Sequence, residues 1–246
     1  MRSVSSRGDK SGKSRFALTA PKPALINFDR SEDWLVGELG LEDILRDRIV
    51  VQPVGASREI TVAQARAALT QFEQDIAQAL AFAKAGQVET LIVDGGALAT
   101  DIITIVTLDD SENKNNTFKY AGRNAYIRNL FNQLNEAGIN VVWTSKAKAI
   151  WAGNQRVPNM WQPDCHDDVP FMVDVNVQFQ MEPSPEGANF YGVIGTNAFN
   201  PVLVGKRFKN LDWAQLMVFL ARAGAGSKAA IPRFKGRQFE IRPTSI

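Results

Sequence analysis

The chain has 246 residues, 45% hydrophobic and 22% charged, with 28 Lys and Arg against 26 Asp and Glu. This composition excludes a mainly disordered chain, and no run reaches the roughly 18 apolar residues of a membrane span. The single cysteine, Cys165, excludes an intrachain disulfide and a multi-cysteine zinc site, and it fits a reducing setting. Charge is unevenly placed. Residues 1–30 hold seven Lys and Arg against Asp9 and Asp29, and residues 207–246 hold eight against Asp212 and Glu240. Basic ends of this kind suit a polyanion-binding surface or solvated charge without a partner.

In chain order, residues 1–30 read as a weak strand, a Gly-containing loop, a short helix from Ser14 to about Thr19 that Pro21 ends, and a strand. The strand is the apolar run Ala24 to Phe28, which ends in Asp29. Ile49-Val50-Val51 is a further short apolar run closed by Pro53. Thr61 to Ala85 reads as a long helix, with Thr61 as cap and Gly86 as stop. Residues 89–94 form a buried strand ending in Asp94, and Ala97 to Leu108 reads as helix. Asp109 to Lys119 is polar and reads as an exposed loop. Tyr120 to Ala137 is a second long helix, and Ile139 to Trp143 a strand running into Thr144, Ser145 and Lys146.

Apolar strands alternating with helices predict an α/β fold, a mostly parallel sheet covered on both faces. After about residue 150 the pattern changes. Phe171 to Met181, Phe190 to Ile194 and a segment near Val202 read as strands of an antiparallel C-terminal extension, followed by a helix over Leu211 to Ala221. The whole reads as one domain: a core to about residue 150, an extension over about 151–225, and a basic tail over 226–246.

The segment Gly8-Asp9-Lys10-Ser11-Gly12-Lys13-Ser14 carries the chemistry. A nucleotide-binding phosphate loop reads G-x-x-x-x-G-K-[ST]. Its glycines let backbone N–H groups converge on phosphate oxygens, its lysine neutralises the outer phosphates, and its hydroxyl ligates Mg²⁺ at the start of a helix. Gly12, Lys13 and Ser14 fit; Gly8 stands one residue too close, and Arg7 occupies the register of the first glycine.

Asp94, at the end of an apolar strand, has the placement of the acid that reaches Mg²⁺ in such sites. It also suits a turn residue before Gly95-Gly96, as Lys13 suits a surface lysine. Ligands of open α/β sheets lie beyond the carboxyl ends of strands. Asp29 or Glu32 could there orient the attacking water, although helix capping over 31–33 explains these residues equally well. Thr144 could meet the outermost phosphate or simply end its strand.

The segments GDKSGKSRFALTAPKPALINFD, ETLIVDGG and YAGRNAYIRNLFNQLNEAGINVVWTSKAKAIW resemble RecA-type P-loop ATPases encoded by bacteriophages, often described as AAA-domain phage nucleotide-binding proteins. They include the fourth Sak class of single-strand annealing proteins, and the resemblance runs from about Gly8 to Gln180. It implies a RecA-like core, ATP and Mg²⁺ as cofactors, and a role in phage recombination in the bacterial host cytoplasm. It further implies single-stranded DNA, a single-strand-binding protein and further copies of the chain as partners. Residue by residue, Gly12, Lys13 and Ser14 match the phosphate loop and Asp94 the acid strand, while the first strand has a single aliphatic residue, Val4. A non-hydrolysing relative that binds single strands, or a structural phage component, is the alternative.

Other features point less far. Cys165-His166-Asp167-Asp168 holds the only Cys and the only His, and four adjacent side chains do not converge readily on one ion. Gly95-Gly96 lacks the spacing of a dinucleotide fingerprint. Residues 113–119 with Phe118 and Tyr120, or the tail with Arg233, Phe234, Lys235, Arg237 and Phe239, could contact DNA or be solvated. Trp143, Trp151 and Trp161 read as core or interface residues rather than base-stacking ones.

Overall fold

A computed structural model describes residues 2–6, 12–28, 33–51, 59–110, 120–165, 169–185 and 187–224. The first half comprises β1 (Arg2–Ser6), α1 (Lys13–Leu18), β2 (Pro23–Asn27), α2 (Asp33–Glu38), β3 (Arg46–Arg48), α3 (Val62–Lys84), β4 (Thr90–Asp94) and α4 (Gly96–Asp109). There follow α5 (Ala121–Glu136), β5 (Asn140–Trp143), β6 (Ala147–Ala152), β7 (Gln155–Pro163), α6 (Val169–Met172), β8 (Val175–Ser184), β9 (Gly187–Asn197), a 3₁₀ turn (Pro201–Leu203), β10 (Arg207–Lys209) and α7 (Trp213–Gly224).

The main sheet has the order β10-β9-β8-β1-β5-β4-β2-β3. From β8 to β3 every neighbour is parallel, and β9 and β10 add antiparallel strands at one edge. The expected fold class is therefore present, and its antiparallel extension grows directly out of the parallel sheet through β8. Apolar residues of the central strands divide between two cores because successive side chains point to opposite faces. Ala24, Ile26, Leu91, Val93, Val141 and Trp143 pack with α3, α4 and α5, whereas Leu25, Ile92 and Val142 pack with α1, α2 and α7. The long helix α3 starts in a capping box, in which the Thr61 hydroxyl accepts from the Gln64 amide and the Gln64 side chain accepts from the Thr61 amide.

Several elements depart from what the sequence predicts. The edge strand β3 is Arg46–Arg48, ahead of the apolar run at 49–51, because the Leu25 N–H donates to Leu45 O and the Ile49 N–H to Asn27 O. An edge strand held by its backbone on one side needs no apolar run, and charged side chains there discourage further pairing. The strand expected from Phe171 begins only at Val175, after the short helix α6. The expected strand near Val202 is the 3₁₀ turn, capped by the Asn200 side chain, which accepts from the Val202 N–H at 3.2 Å. Residues 147–163 form an antiparallel pair, β6 and β7, apart from the main sheet. Trp151 lies on that pair and is 63% exposed, so it is no core residue, while Trp143 is 1% exposed. Among the described residues, no helix is long and apolar enough to cross a membrane.

Candidate nucleotide site

Three parallel strands bring the site together at their carboxyl ends. β5 lies between β1, which leads towards α1, and β4, which ends in Asp94. Gly12 caps α1 with φ 96°, a left-handed conformation that favours glycine, and Lys13 and Ser14 open the helix. Gly95 turns the chain from β4 into α4 with φ 87°. The next residue, Gly96, faces the indole of Trp143 so closely that a Cβ would overlap the ring. Strand β5 thus fixes where α4 begins, and with it the exit from Asp94.

The Ser14 hydroxyl donates to Asp94 Oδ2 at 2.8 Å, across 80 residues of sequence. The Thr144 hydroxyl donates to Asp94 Oδ1. Thr144 is itself fixed, because its N–H donates to Val93 O at 2.9 Å, its carbonyl accepts from Gly96 N–H at 2.7 Å and its Oγ1 accepts from Gly95 N–H at 3.2 Å. Asp94 and Thr144 are each 4% exposed. A carboxylate buried so deeply is tolerable because both its oxygens accept hydrogen bonds. α1 has six residues, too short for a large helix dipole, and Lys13 brings a positive charge to its first turn.

The structure thus brings Gly12, Lys13, Ser14, Asp94 and Thr144 to one place. Gly8, Asp9, Lys10 and Ser11 lie outside the described residues, as do Arg7, Asp29 and Glu32. The same holds for residues 111–119, 166–168 and 225–246, which carry both expected DNA-contacting segments except Tyr120, and the Cys165 neighbours. Phe28, the last described residue before Asp29, donates its N–H to Asp94 O at 2.8 Å. The sequence suits Thr144 either to the outermost phosphate or to a polar strand end and does not predict its direct bond to Asp94, whose one signal is the polar residue closing an apolar strand.

The donor set suits magnesium. A serine hydroxyl and a carboxylate are hard oxygen ligands, and Mg²⁺ is commonly held by one or two carboxylates together with substrate phosphates. Among the described residues there is no group of three or more His, Cys, Asp or Glu side chains that could make an all-protein cage.

A parallel sheet with the acid strand one strand removed from the glycine-lysine-serine strand, and a hydroxyl–carboxylate pair joining them, defines a P-loop NTPase with a RecA-like sheet. Residues 8–208 match the family described as AAA domain, and the chain belongs to that family of P-loop ATPases. A crystal structure of a KaiC-like protein from the hyperthermophilic archaeon Pyrococcus horikoshii OT3 is similar at 13% identity, over 85% of this chain and 84% of that one, with a TM-score of 0.43. No curated protein matches the chain.

Proposed function

We propose that the chain is a bacteriophage recombination ATPase that binds ATP with Mg²⁺ and anneals or pairs single-stranded DNA in the host cytoplasm, working as a homo-oligomer beside a single-strand-binding protein. The observation that carries the nucleotide part is the 2.8 Å bond from Ser14 to Asp94. It joins the hydroxyl and the carboxylate that would together hold a phosphate-bound cation. Gly8 to Ser14 would wrap the phosphates, with Gly12 opening the turn and Lys13 neutralising the outer two. Ser14 and Asp94 would hold Mg²⁺, which when bound supplies charge neutralisation at the phosphates. Thr144 keeps Asp94 in one orientation, and Asp29 or Glu32 would orient the attacking water. Phosphoryl transfer asks for positioning and electrostatics more than covalent chemistry, so these few groups are sufficient. The DNA part is supported by the basic ends of the sequence.

Nucleotide binding and ATP turnover in the wild type and in Lys13→Ala test the reading. Binding is expected in the first and lost in the second; equal binding in both contradicts it. One observation favours a second reading, in which nucleotide is held but not hydrolysed: Gly8 and Gly12 are separated by three residues, where the pattern has four. Under that reading, nucleotide binds without product forming, and single strands are retained without nucleotide in a manner that weakens as salt rises.

A further inference from the structure

Gly12 does not stand in open space. The ring of Phe190 lies tightly against the place a side chain at Gly12 would take: a Cβ there would come within 3.2 Å of Phe190 Cδ1 and 3.5 Å of its Cβ and Cγ. Phe190 belongs to β9, which β8 separates from β1, so no local pattern links it to the loop. Its own position is fixed. It pairs with Met181 across the β8–β9 ladder, and its carbonyl accepts from the Asn210 N–H at 2.7 Å.

Phe190, Gly192 and Ile194 share one face of β9 by the alternation of a strand. Gly192 admits Leu211, whose Cδ2 would stand 2.6 Å from a Cβ there, and Ile194 is fully buried in the core that includes α1 and α7. Ile194 thus shares a core with α1, and Phe190 stands beside the glycine that caps that helix. Towards the end of α1, Phe16 packs on Phe179 and Trp213 at ring distances of 5.1 and 6.0 Å, and the Thr19 hydroxyl accepts from the Trp213 N–H at 2.9 Å. At the start of α1 the supporting group is Phe190, which remains half-buried.

We propose that Phe190 is a positioning residue for the nucleotide: its ring clamps Gly12, and so holds the amides of Gly12, Lys13 and Ser14 and the Ser14 hydroxyl in register with Asp94. The inference rests on the nucleotide reading of the site. A glycine with positive φ is the most permissive point in the backbone, and a bulky neighbour restricts the alternatives open to it. The ring acts on the triphosphate-binding backbone and on no part of the base.

The test compares wild type, Phe190→Ala and Phe190→Leu for affinity towards ATP·Mg²⁺ and towards inorganic tripolyphosphate·Mg²⁺, with thermal unfolding of the same samples. The clamp predicts that F190A weakens both ligands equally, by about tenfold. It predicts that F190L, which keeps an apolar group against Gly12, stays within about threefold of wild type. If the alanine variant does not fold, Phe190→Val replaces it in the same comparison. Unchanged affinity for both ligands overturns the clamp, and so does weakening of ATP alone, which would mean a contact to the base. Absence of binding in the wild type overturns the nucleotide reading itself, and the clamp with it.

Discussion

Two buried aspartates, one closing a sheet strand and one on a helix, have different surroundings. Asp94, at the carboxyl end of β4, is 4% exposed and both its oxygens accept from hydroxyls, those of Ser14 and Thr144. Asp75, on α3 near the edge strand β3, is 5% exposed; its Oδ1 accepts from Gln71 at 2.7 Å, but its Oδ2 has no hydrogen-bond partner among the described residues. The Gln71 amide also reaches Asp47 at 3.1 Å, so two carboxylates share one donor, beside a small recess that Gln78 also lines. Burial pushes the Asp75 carboxyl up from the usual 3.8 to about 6, and neighbouring Asp47 adds to the rise, while Gln71 opposes it. The contrast teaches that depth alone does not mark a site: hydroxyls on a carboxylate can be exchanged for a cation, whereas a second carboxylate makes a cost that folding must carry.

Replacing each aspartate by asparagine separates the two directly. Asp94→Asn should lower ATP turnover by about a hundredfold or more, the scale of losing one electrostatic group at a reacting phosphate, while Asp75→Asn leaves turnover unchanged. Similar losses in both, measured at saturating nucleotide, would erase the distinction. Next in size is Gly96→Ala. The new methyl group has no room beside the Trp143 indole, so stability should fall by about 3 kcal/mol, read from chemical denaturation; a loss under about 1 kcal/mol would mean that Trp143 does not fix the start of α4.

The smallest effect concerns Asp75 and depends on pH. Between about pH 4 and 6 the folded chain keeps a proton on Asp75 that the unfolded chain has released, so this group's contribution is fully present below that window and lost above it. Asp75→Asn removes the loss, and its amide can donate to Asp47. The variant should therefore be more stable than wild type by about 1–2 kcal/mol at pH 7, and the gap should close by pH 4. A gap that persists at pH 4, measured by urea denaturation, contradicts this account.

The parallel core was legible because strands buried on both faces need unbroken apolar runs: Ala24 to Phe28, Leu91 to Val93 and Ile139 to Trp143 each announced one. Ser14 and Asp94 could be paired because glycine-lysine-serine and an acid closing an apolar strand each carry a chemical reason of their own. Where backbone pairing alone decides, local pattern says less. β1, a weak strand by sequence, lies mid-sheet with Val4 as its one aliphatic residue, and β3, Arg-Asp-Arg, carries no apolar signal. The stretch 202–204 is apolar but turns, because Pro201 and the Asn200 cap favour a 3₁₀ start. Thr144 on Asp94, Phe190 on Gly12 and the Asp75–Asp47 neighbourhood join residues from separate elements through packing, and no spacing in the sequence encodes such meetings.

The hydroxyl–carboxylate pair is tested most directly by the Mg²⁺ dependence of ATP affinity in wild type and in Asp94→Asn, measured by titration with and without the ion. Mg²⁺ should strengthen binding to the wild type, and the asparagine variant should keep its Mg²⁺-free affinity but lose the strengthening. The same Mg²⁺ enhancement in both proteins would contradict this.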